Sequence, residues 1–79
     1  MVTVLRAQGL RVVIFANDHH PAHVHLFGDG HAKIDLYSAL QLTWADGMTR
    51  GEIRHAMQIV IAHQGELLAR WESIHGGPD

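Results

Sequence analysis

Seventy-nine residues are enough for one domain with a single core, which excludes two-domain enzymes, doubly wound nucleotide folds and β/α barrels. Hydrophobic residues make up 47% and charged residues 18%, a globular composition, and the lack of cysteine excludes disulfides and thiolate metal sites. The net charge of −2 weighs against a nucleic-acid partner.

Val2–Arg6 is a short β-prone run, and Ala7-Gln8-Gly9 reads as a tight turn with Gly9 at positive φ. Leu10–Ala16 alternates as a strand, with Leu10, Val12, Ile14 and Ala16 on one face and Arg11, Val13 and Phe15 on the other. Asn17-Asp18-His19-His20-Pro21 breaks the pattern, and Pro21 restricts His20 to extended geometry. Ala22–Phe27 and His31–Tyr37 alternate again around Gly28-Asp29-Gly30. A two-residue loop there would scramble the faces. A three-residue loop pairs Phe27 with His31, His25 with Lys33 and His23 with Asp35, and keeps them intact.

Residues 38–48 read as a connection, either a short helical turn or an extended stretch carrying Leu40, Leu42 and Trp44. Thr49-Arg50-Gly51-Glu52 is a capping box, flanked by Met48 and Ile53 as a hydrophobic staple. Ile53, Met57, Val60, Leu67, Leu68, Trp71 and Ile74 form one apolar stripe, with Gln64 inside it. Gln64 is expected to bond a backbone group under the sheet or to mark a helix–helix contact. Gly76-Gly77-Pro78 stops the helix. The expected fold is α+β: an antiparallel four-stranded sheet (2–37), the connection (38–48) and one long C-terminal helix (49–75) on one face, in order β-β-β-β-α within a single domain, 1–79. No apolar run is long enough to span a bilayer and no basic-then-apolar leader opens the chain, so the expected location is cytoplasmic, away from membranes.

Eight histidines are the anomaly, and five of them fall between His19 and His31. The face opposite the helix collects Leu5, Arg11, Val13, Phe15, His23, His25, Phe27, His31, Lys33, Asp35 and Tyr37, an aromatic and His-rich surface expected to contact something. Three readings stay open. A homodimer or partner chain covers the face. Alternatively, His23 and His25, projecting together at i and i+2, hold a zinc-like divalent metal, completed by Asp35 or by Asp18 and His19. Asp35 would otherwise fix the His23 tautomer as a hydrogen-bond acceptor. The third is catalysis on that face: a small ribonuclease using His23 and His25 as acid and base with Lys33 or Arg11 stabilising charge, or a metal-dependent hydrolase using the same two histidines. His55 and His63 fall off the stripe and read as solvated, and His75 suits a helix C-terminus.

The run Asn17-Asp18-His19-His20-Pro21-Ala22-His23-Val24-His25-Leu26 resembles the hallmark segment of the bacterial family called domain of unknown function 4160, with Ala22 where that family carries a second proline. Thr3-Val4-Leu5-Arg6, Ala32-Lys33-Ile34-Asp35-Leu36, Glu66-Leu67-Leu68 and Trp71 are similar to it as well. The resemblance implies a small cytoplasmic protein acting with a cognate partner encoded nearby, of the domain of unknown function 2442 type, in a toxin–antitoxin-like pair. On that basis the leading expectation is a partner-binding component working through the His face.

Overall fold

A computed structural model of the chain describes residues 2–7, 9–19, 21–37 and 42–75. Among these residues five strands and two helices follow one another: β1 Val2–Ala7, β2 Leu10–Ile14, β3 His23–Phe27, β4 His31–Asp35, β5 Leu42–Asp46, α1 Arg50–Ala62 and α2 Gln64–His75. The strands form one antiparallel sheet in the order β1-β2-β3-β4-β5, each paired with its chain neighbour. The α+β class and the C-terminal helical region stand, but the sheet has a fifth strand and the helix is two helices.

The fifth strand lies in the expected connection. Its first four residues include three exposed ones, so it shows no apolar alternation to announce it. It is held instead by pairing with β4, through Ala32 opposite Ala45 and Lys33 opposite Trp44, with a register shift before Leu42 meets Ile34. Gly30 admits it. A Cβ at Gly30 would run into the backbone of Asp46 and Gly47, and Gly47 itself turns at φ 72°. Leu40 lies outside the described residues, as do Gln8, His20 and the Gly76-Gly77-Pro78 stop.

The helix breaks at His63, which has φ −118° and ψ 17°. Its N–H still reaches the carbonyls of Ile59 and Val60, and its own carbonyl accepts from Leu67 N–H to start α2. Two features favour the break. Gly65 weakens helix by about 1 kcal/mol against alanine. Gln64 donates its side-chain amide to the Leu36 carbonyl at 2.9 Å, tying the bend to the end of β4. The expected backbone partner of Gln64 is therefore present.

The core lies between one sheet face and the helices. Leu10, Val12, Ile14, Ala22, Val24, Leu26, Ile34 and Leu36 pack against Ala56, Ile59, Val60, Leu67 and Trp71. Ala56 and Ile59 join the predicted stripe as buried positions, while Met57, Leu68 and Ile74 pack at its margin. At α1 the capping box is formed in full: Glu52 N–H donates to Thr49 Oγ1 at 3.1 Å and Thr49 N–H donates to Glu52 Oε1 at 2.9 Å.

The β3–β4 hairpin has the three-residue register expected: Phe27 opposite His31, His25 opposite Lys33, His23 opposite Asp35. Four residues lie elsewhere than expected. Leu5 leaves the His face, because a register shift between Thr3 and Leu5 flips the alternation and sets it opposite Val12, packed on the core. Ala16 is exposed in the turn that follows β2, not on the core face. His55 and His63 are half-buried, not solvated. Among the described residues no helix is long and apolar enough to cross a membrane.

Candidate metal centre

The site begins with a turn. Asp18 N–H donates to the Phe15 carbonyl at 3.1 Å, closing the chain just past β2 and bringing the Asp18 carboxylate back toward β3. Strand alternation puts His23 and His25 on the same side of β3. Asp18 Oδ2 lies 2.9 Å from His23 Nε2 and 3.3 Å from His25 Nε2. One ligand atom from each of the three residues lies within 4.8 Å of the others.

Each ring is oriented from behind. His23 Nδ1 donates to the Pro21 carbonyl at 2.9 Å. Carbonyl and carboxylate oxygens only accept, so His23 sits between two acceptors. With its proton on Nδ1, the Nε2 lone pair faces the Asp18 carboxylate, and only a second proton or a cation makes that contact favourable. A metal-bound histidine commonly donates its other N–H to a carbonyl in this way. His25 Nδ1 and His31 Nε2 share a hydrogen bond of 3.0 Å. When His25 Nδ1 is the donor, its Nε2 lone pair also points at the Asp18 side.

Metal–ligand bonds of about 2.0–2.2 Å at a tetrahedral ion set neighbouring donor atoms roughly 3.3 Å apart. The His25–Asp18 separation of 3.3 Å matches that spacing, the His23–Asp18 separation of 2.9 Å is shorter, and all three ligand atoms lie within 4.8 Å of one another.

The surroundings are aromatic and largely closed. His23 is 5% exposed. The Trp71 ring of α2 lies 5.1 Å from the His23 ring, and Phe15 stands edge-on to His25 at 4.7 Å. Phe27 stacks on His31 at 4.1 Å, and Trp44 of β5 stands against the other side of His31 at 4.7 Å. Val13 beside them is fully buried. The face expected to be open is therefore partly closed by its own aromatics and by α2. Burial holds the His25 pKa below its ordinary value; Asp18 opposes that shift, and His23 and His31 reinforce it.

Residues 9–72 match the family model described as Domain of unknown function (DUF4160). The chain belongs to that family. No curated protein and no solved structure matches it. The stretch shared with domain of unknown function 4160 contains Asp18, His23, His25 and His31 and every strand except β1.

Of the residues expected to ligate a metal in this domain of unknown function 4160 chain, Asp18, His23 and His25 come together. His19 is exposed and lies outside the group. Asp35 sits opposite His23 in register, but its Oδ1 accepts the Tyr37 N–H at 2.8 Å, and the Pro21 carbonyl takes the role of fixing the His23 ring. Lys33 is half-buried between His25 and Trp44 in the ladder. Sequence reasoning did not single out His31 as a site residue. Its pairing with Phe27, one step along the same face from His25, was the signal available.

Proposed function

We propose that this protein binds a divalent transition-metal ion, zinc or a close equivalent, through Asp18, His23 and His25. The observation that carries the reading is the approach of His23 Nε2 to Asp18 Oδ2 at 2.9 Å while Nδ1 is committed to the Pro21 carbonyl. Two imidazoles and a carboxylate are a donor set suited to zinc and other late divalent metals, and three protein ligands leave a position open for water or for a group from a partner. A metal-free pair of catalytic histidines is less well supported, because both Nε2 atoms face Asp18 and their side chains are only 7% and 12% exposed.

Titration of metal-stripped, tag-free protein with zinc or cobalt tests the proposal. A 1:1 complex is expected, with Asp18→Asn, His23→Gln and His25→Gln each weakening it at least about tenfold. Folded wild-type protein that takes up no metal, or variants that bind like wild type, would falsify it.

A second reading, that the chain works with a protein partner, is supported by a different set of residues. Tyr37 is 49% exposed, and Leu42 and Trp44 leave apolar surface on the edge strand β5. That partner would be a second copy or the small cognate protein of a toxin–antitoxin-like pair. The metal centre would then order the strands that present this edge.

A further inference from the structure

Arg6 of β1 and Arg11 of β2 are directly opposite in the ladder, on the same side of the sheet. Like charges so placed destabilise a strand pair, so the arrangement calls for something that offsets it. Among the described residues no carboxylate forms an ion pair with either guanidinium. Arg11 instead lies over the Phe27 ring, 5.5 Å from its centroid. The two arginines line an open cavity of about 590 Å³ together with Phe27, with Gly9 and Gly28 of the adjoining turns and with Asp29.

We propose that Arg6 and Arg11 form a binding site for the phosphate group of a small ligand. Two guanidinium forks match the charge and the several acceptor oxygens of a phosphate dianion, and that charge and oxygen count favour it over a carboxylate. The size of the cavity admits the rest of a small molecule beside the Phe27 ring. Asp29 and the net charge of −2 disfavour a long polyanion, so the ligand is a phosphate monoester and not a nucleic-acid strand.

The site is separate from Asp18, His23 and His25, and the experiment keeps the two apart. Calorimetric titration of inorganic phosphate and of phenyl phosphate into the Asp18→Asn variant, stripped of metal, should give 1:1 binding equal to that of metal-stripped wild type. In the Arg6→Gln and Arg11→Gln variants affinity should fall at least about tenfold. Arg6→Lys, which keeps the charge and loses the fork, should fall between, and covers the case in which a glutamine variant misfolds. Acetate should bind at least about tenfold more weakly than phosphate. Without ligand, Arg6→Gln should melt no lower than wild type, since it removes a repulsion. Absence of saturable phosphate binding, indifference to all three arginine substitutions, or equal binding of acetate would each overturn the assignment.

Discussion

At His23 one five-membered ring faces two oxygens that can only accept, and its neighbour His25 is held short of protons by burial. His25 has a pKa in the folded chain below its ordinary value of 6.5, so the unfolded chain takes up that proton more readily. Its contribution to stability is fully present above about pH 6.5 and is lost as pH falls below that value. Urea midpoints of metal-free protein measured from pH 8 to pH 5 should therefore decline below about 6.5. His25→Gln should flatten that decline; an unchanged slope would show that His25 is not the group responsible. The H-x-H spacing made the two rings legible as a pair, because strand alternation is a local property. The carbonyl of Pro21 and the turn that returns Asp18 were not legible in the same way. The first is backbone, and the second depends on where β2 stops, which is Ile14 and not Ala16.

Among the elements, the start of α1 is the most local. Thr49 and Glu52 exchange hydrogen bonds across three residues, and the Glu52 pKa is lowered chiefly by the Thr49 N–H. Thr49→Ala should cost about 1 kcal/mol, read as a lower midpoint in chemical denaturation; no change would mean that the cap contributes nothing. Such a motif needs no tertiary information, and the β3–β4 register is nearly as local, since a one-residue slip would put Phe27 and His25 into the core. The elements that escaped prediction are those set by distant contacts. β5 is a strand because β4 offers it an edge and Gly30 lets its backbone close in. The break at His63 is fixed by Gln64 reaching Leu36, across 28 positions of sequence. Leu5 changed face because of a bulge, which inserts a residue without leaving a mark in composition.

For the whole molecule, a chain of this size buries only roughly 60% of its unfolded surface, and association is one way to add to that. Leu42 and Trp44 stand on an edge strand with no sixth strand beside it among the described residues. If the edge is used between copies, light scattering of wild-type protein should give the mass of a dimer and Trp44→Lys that of a monomer. A wild-type monomer at high concentration would leave only the cognate-partner form of that reading. The strand order has a consequence in time as well as in space. Because each strand pairs with the one before it, no pairing in the sheet requires a long loop to close first, and growth by successive hairpins is open to the chain. Asp18, His23, His25 and His31 all come from the middle of that succession, between the end of β2 and the start of β4. They can meet while β5 and the helices are still unformed. A chain emerging from the ribosome would thus carry its cluster of histidines before it has a core to bury them in.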